Sequence, residues 1–255
     1  MNKRQEEILI LIYRFRFLTR AQIQSLIQQK YYSRLVIWLN DLTKNNYLKR
    51  FYNPNMVSYP AVYSLDNQGR KYLKDNNQSL KINLKALDKI WRESKLTTQF
   101  RHHCLTLADG YISLFETTKK MGSELHFYTK NDLQNIKYLI IPHPDAYFYI
   151  KESNGTKKYY FLDIFDYYAN NQKFIKRIQT YLDYFDDGYW QDQTGCPFPE
   201  VIFVVSDERS YSYLNWYLPK VLEDSDDINF YLISKEKIKK EGFNKNSLKK
   251  MEAKD

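Results

Sequence analysis

Glycine and proline are scarce in this chain, with 7 of each among 255 residues. That excludes collagen-like repeats and long Gly/Pro-rich low-complexity linkers. Cysteine is rarer still. Cys104 and Cys196 stand far apart with no second pair, which excludes a disulfide scaffold and a zinc site built from cysteines alone. The four histidines, His102, His103, His126 and His143, show no ligand spacing. No apolar run approaches the ~20 residues that cross a bilayer. The opening Met1 to Glu7 runs straight into an amphipathic pattern and lacks the form of a signal peptide. The expectation is a soluble, reduced, cytoplasmic protein with no membrane partner.

Apolar residues make up 43% of the chain, enough for real cores, and its length suits one large domain or two ordinary ones. Aromatics reach 17%, with 24 Tyr and 15 Phe. Abundant Asn, Lys and Ile accompany them, as an A+T-rich coding sequence would give, so the tyrosines alone do not define a stacking surface.

Charge is distributed unevenly. Residues 1–95 hold 18 Lys and Arg against 7 Asp and Glu, a balance of +11, whereas residues 96–255 hold 21 against 23. The excess belongs to the first third, which has an electrostatic reason to sit on a polyanion. The last stretch, from Lys235, is locally basic again, with 8 Lys against 4 acids.

The pattern under that charge predicts three helices and a hairpin. Ile8, Leu9, Leu11, Ile12 and Phe15 recur at helical spacing. Arg16 to Leu18 forms a short connection, and Thr19-Arg20-Ala21-Gln22 has the form of a capping box opening a second helix. Leu35, Leu39 and Leu42 mark the inner face of a third helix, from about Ser33 to Lys44. Tyr47–Tyr52 and Tyr59–Leu65 read as strands joined through Asn53-Pro54-Asn55, with a short closing helix after Gly69. This is the order of a winged helix-turn-helix, whose third helix enters the major groove of double-stranded DNA while the hairpin reaches the flanking backbone. Candidate DNA contacts are Lys30, Tyr32, Ser33 and Arg34 at the front of the third helix, with Arg34 the first choice. Lys44 follows at its end, and Arg50, Asn53, Asn55 and Ser58 lie on or near the wing.

Beyond a polar, lysine-rich stretch the pattern changes to helix, three strands, helix, strand, helix, strand. Val201 to Val205 is a continuous apolar run, as a strand buried on both faces requires. The fold class is therefore α/β (α+β), with a mixed sheet covered by helices. The division expected is a winged helix-turn-helix over 1–78, a linker over 79–98, an α/β domain over 99–235 and a basic tail over 236–255. The second domain resembles the restriction-endonuclease-like fold. Pro144-Asp145 opens one strand and Asp163 lies on the next. Two carboxylates so placed could share Mg²⁺ and activate water. The lysine that the resemblance implies two residues on is Phe165, leaving Lys173, Lys176 or Arg177 on the following helix to substitute, with Asp166 a spare acid.

Several segments in order carry a wider resemblance. They are Leu11 to Thr19 with Gln22-Ile23, Tyr47 to Arg50, Val62 to Leu65 with Gly69, and His103-Cys104-Leu105. Pro144-Asp145, Phe161-Leu162-Asp163, Arg177 to Tyr181, Gly188-Tyr189-Trp190 and Phe198-Pro199 complete the series. From about residue 5 to 235 the chain resembles the replication-relaxation family of bacterial plasmids and mobile elements. The resemblance implies a role in plasmid replication, DNA relaxation or transfer. It departs at Asp163, where a glutamate is expected, and at Arg177, where a lysine is usual. Three functions follow: a sequence-preferring duplex-DNA-binding factor, a Mg²⁺-dependent nickase using Asp145 and Asp163 with Lys176, and a transcriptional regulator. A homodimer or replication and transfer proteins are the candidate protein partners.

Overall fold

The structure, a computed structural model, describes residues 1–52, 60–93, 97–166, 169–223, 227–244 and 246–253. It separates into two units, Met1–Ile112 and Ser113–Asp255, with the division falling inside one long helix.

In the first unit the apolar spacing becomes α1 (Lys3–Phe15), α2 (Arg20–Leu26) and α3 (Tyr32–Lys44). Both early helices start with reciprocal caps: Asn2 with Gln5, and Thr19 with Gln22. Each pairing satisfies two backbone N–H groups that the first turn leaves open. Gln22 also donates to the Leu105 carbonyl at 2.9 Å and to Asp109 Oδ1 at 2.6 Å, so this cap is tied into the unit. Strand β1 (Leu18–Thr19) pairs antiparallel with β3 (Val62–Leu65), which pairs antiparallel with β2 (Leu48–Phe51). The predicted connection at Arg16 to Leu18 thus ends in a third strand. The predicted hairpin tip, with Asn53, Asn55 and Ser58, lies outside the described residues. Helix α4 (Asn67–Asp75) follows. The lysine-rich stretch 79–98 contains α5 (Leu84–Glu93), which buries Ala86, Leu87 and Ile90.

Helix α6 (Thr98–Lys120) leads into the second unit. There β4 (Glu124–Thr129), β5 (Ala146–Lys151), β6 (Lys157–Phe165), β7 (Glu200–Val205), β8 (Phe230–Ser234) and β9 (Lys249–Lys250) form one sheet in chain order. β4, β5 and β6 are antiparallel neighbours, β6 to β8 are parallel, and β9 returns antiparallel. Parallel neighbours need crossovers, and α7 (Asn171–Asp186) with the short α8 (Tyr189–Thr194), then α9 (Glu208–Leu222), supply them. Val201 to Val205 are wholly buried, as their unbroken apolar run requires. The basic stretch 236–255 holds most of α10 (Lys235–Glu241) and all of β9, with Ile238, Phe243 and Met251 buried. Both units together make a mixed α/β chain. Among the described residues no helix is long and apolar enough to cross a membrane.

Gly69 in α4 faces the Tyr47 carbonyl, and a Cβ there would stand 2.2 Å from that oxygen. Alanine is the better helix former by about 1 kcal/mol, so the clash alone decides the sign. Gly69→Ala is expected to lower stability by about 1–3 kcal/mol, read as a lower urea midpoint. An unchanged or higher midpoint would show that the Tyr47 backbone gives way.

Candidate functional site

Two groups of residues carry the chemistry expected of this chain, one in each unit. In the first unit Lys30, Tyr32, Ser33, Arg34, Lys44 and Arg50 are all exposed. The inner face of α3 is taken by Leu35, Leu39 and Leu42, each essentially buried. That fixes which side of the helix its polar residues present.

A cationic cluster forms where the front of α3 meets the sheet. The Arg20 guanidinium lies over the Tyr32 ring, 4.5 Å from its centroid, and Arg50 lies 4.9 Å from that of Tyr52. Burial pushes the Tyr63 hydroxyl above its ordinary pKa, while the positive charges of Arg50 and Arg20 pull it back. Both arginines therefore stand close enough to Tyr63 for their fields to reach it. Arg20 was hidden in the sequence because the capping pattern from Thr19 to Gln22 already accounted for that segment.

In the second unit β5 and β6 end their pairing with Ala146 opposite Leu162. One step further along that register come Asp145 and Asp163, so the antiparallel pair brings the two acids side by side. Asp145 Oδ2 accepts from the Ile164 N–H at 2.9 Å, and Lys130 Nζ stands 4.0 Å from its Oδ1. Asp163 Oδ2 accepts from Arg177 Nε and from the Tyr181 hydroxyl, each at 2.6 Å. Arg177 also donates to the Pro142 carbonyl at 2.6 Å and to the Tyr181 oxygen at 2.9 Å. The pair is largely withdrawn from solvent, with side-chain exposures of 10% for Arg177 and 11% for Asp163.

Burial works against the Arg177 charge, but Asp163, and further off Asp145, more than offset it, so its pKa is raised. Tyr181 is held neutral far above its ordinary range, first by burial and then by Asp163.

Of the three basic residues the sequence offered on α7, Arg177 reaches the acids. Lys176 is one residue out of that row, about 100° around the helix, and exposed, as is Lys173. Phe165 packs into the core against Phe174 and Phe203, with ring centroids at 4.5 and 5.5 Å. Asp166 follows β6 with its carbonyl accepting from the Ala169 N–H.

Magnesium takes about six hard oxygen ligands in near-octahedral array. Here Asp163 Oδ2 already accepts two hydrogen bonds, one from a cation, and Asp145 is bound to backbone. Among the described residues no group of three or more His, Cys, Asp or Glu could hold a metal ion. A guanidinium 2.6 Å from the carboxylate fills the place of a cation and would repel a second one. The residues as arranged do not fit Mg²⁺.

The sequence profile of the replication-relaxation family matches residues 9–201, which takes in both groups. The chain belongs to the replication-relaxation family. Membership suggests a role in replication or relaxation, and the match runs through the cationic front, the acidic pair and Arg177 alike. Neither the curated proteins nor the solved structures contain a match to this chain.

Removing Arg177 would leave the buried Asp163 carboxylate without its guanidinium partner, the Tyr181 hydroxyl still donating to it. Arg177→Met is expected to cost about 3–5 kcal/mol of stability. Adding Asp163→Asn should recover a large part of that, because no buried charge is then left alone. Urea unfolding of the two single variants and the double variant measures the coupling. Additive losses would show that the pair contributes nothing as a pair.

Proposed function

We propose that this chain is a sequence-preferring, double-stranded DNA-binding protein acting in plasmid or mobile-element replication, relaxation or transfer. The observation that carries the reading is a set of exposed residues, Tyr32, Arg34 and Arg50, with the half-buried Arg20 laid over the Tyr32 ring, in the part of the chain that holds the whole positive excess. The first unit reads as a winged helix-turn-helix. α3 would enter the major groove, with Lys30, Ser33 and Arg34 leading. Arg20 and Arg50 would take phosphates on the sheet side, and Lys44 a phosphate at the far end of the helix.

Neutralised phosphates release counterions, so affinity should fall linearly with salt on logarithmic axes. With the full chain and a labelled duplex, fluorescence anisotropy at several salt concentrations tests this. Arg20→Ala and Arg50→Ala should each reduce the salt slope by about 1. Arg34→Ala should weaken binding by about 1–3 kcal/mol and relax preference at one base pair. No affinity at low salt for a folded chain would overturn the reading.

The second unit, read as a restriction-endonuclease-like domain, would add backbone or protein contacts, without metal-dependent cleavage. Its acidic pair supports this, since Asp163 is already paired with an internal cation. Supercoiled plasmid incubated with the protein and either Mg²⁺ or Mn²⁺ should stay intact. Nicking abolished by both Asp145→Ala and Asp163→Ala would make the chain a nuclease instead.

A further inference from the structure

Helix α3 carries an apolar side chain on its outward face. Leu35, Leu39 and Leu42 point into the core. At about 100° per residue, Ile37 lies almost diametrically opposite their mean direction. Its exposure is 66%. Ser33, Arg34, Asn40, Asp41 and Lys44, all exposed, flank it on both sides, so Ile37 sits at the middle of the outward arc. The one acid in that arc is engaged within the first unit: Asp41 accepts from Gln5 Nε2 at 2.6 Å and from Asn45 Nδ2 at 3.0 Å.

We infer that Ile37 is a specificity-determining residue that packs on the 5-methyl group of a thymine in the major groove. The inference rests on the proposed reading of α3 as the helix that enters that groove. Two features favour DNA over other occupants. The arc holds Arg34 and Lys44 and follows directly on Lys30, which suits a polyanion. In the major groove the thymine methyl is the apolar feature among donors and acceptors, and aliphatic side chains recognise it. A β-branched side chain is also stiff on a helix, so little freedom is lost when it is held against a methyl. The flanking Arg34 and Asn40 present groups suited to guanine and adenine edges, which places Ile37 between two polar readers.

The test uses the full chain and the duplex it selects from a random-sequence pool. Each thymine of that duplex is replaced in turn by deoxyuridine, which removes only the methyl. Wild-type affinity should fall about fourfold at one thymine, the scale of one buried methyl group. Ile37→Ala should bind the unmodified duplex more weakly by a similar factor and show no further loss at that position. Circular dichroism confirms that the variant is helical, which the exposed position favours.

A wild-type protein indifferent to every replacement overturns the inference. So does an Ile37→Ala variant that keeps the deoxyuridine penalty. Salt-dependent binding with no selected sequence also overturns it, while leaving DNA binding by this chain intact. Loss of a homodimer on Ile37→Ala, seen by sedimentation, with the deoxyuridine pattern unchanged, would assign the side chain to a second copy instead. Absence of any DNA affinity would overturn the functional reading itself.

Discussion

The Asp163–Arg177 pair is the interaction on which the second unit turns. It joins the sheet to α7, and through the Pro142 carbonyl it also holds the segment entering β5. Two charges taken out of water are costly, and their attraction offsets that cost only where geometry is good and the remaining donors are satisfied. Here the guanidinium reaches three acceptors, and Tyr181, four residues on, closes the arrangement by donating to the same carboxylate oxygen. A hydrophobic pair of like size could pack α7 as firmly, but it would lack the directional contacts that tie Arg177 to Asp163 and Pro142. With Arg177 fixed on Asp163, the same helix has to turn Phe174, Ile178 and Tyr181 onto the sheet, all of which are essentially buried.

The first unit uses the same residue types in the opposite way. Several of its cations, Lys30, Arg34, Lys44 and Arg50 among them, are left exposed, where water solvates them at little cost. Arg20 and Arg50 rest over tyrosine rings. That contact restrains a flexible side chain without neutralising it, because an aromatic face attracts a cation and carries no net charge. A carboxylate in the same place would have held the arginine equally well and cancelled its field. Arg177 is thus a cation neutralised inside the fold, whereas Arg20 keeps its charge against an aromatic face.

Much of this was legible in the sequence, for reasons that differ by element. α1 and α3 followed from apolar spacing, α2 from its capping box, and β7 from an unbroken apolar run. Asp145 and Asp163 were legible as neighbours through the resemblance to the restriction-endonuclease-like fold, whose acids lie on adjacent strands. β1 was not, since two residues show no periodicity. β9, equally short, and α10 lie in a lysine-rich stretch whose few large apolar residues, Ile238, Phe243, Leu248 and Met251, are too widely spaced to form a pattern. The partner of Asp163 was not legible either. Lys173, Lys176 and Arg177 were equal candidates on charge alone. Only the orientation of α7 against the sheet distinguishes them, and many packed side chains set that orientation together.

The treatment of the acids bears on what a domain of this kind can do beside DNA. Two bare carboxylates at a strand end would repel a phosphate, and a bound dication is the usual way to reverse that field. Arg177 reverses it without one. Its charge is held by Asp163 first, while Asp145 retains a backbone N–H donor and Lys130 nearby. The local balance of Asp145, Asp163, Arg177 and Lys130 is thus even, where the acids alone would count −2. An internal guanidinium, however, has its donors aimed at fixed acceptors and offers no exchangeable coordination position at which water could be activated. In the proposed reading, an arginine in this place would keep the electrostatic tolerance for a nucleic acid backbone without metal-dependent chemistry. That combination would suit the proposed role, in which the second unit adds backbone or protein contacts and the exposed face of α3 carries recognition.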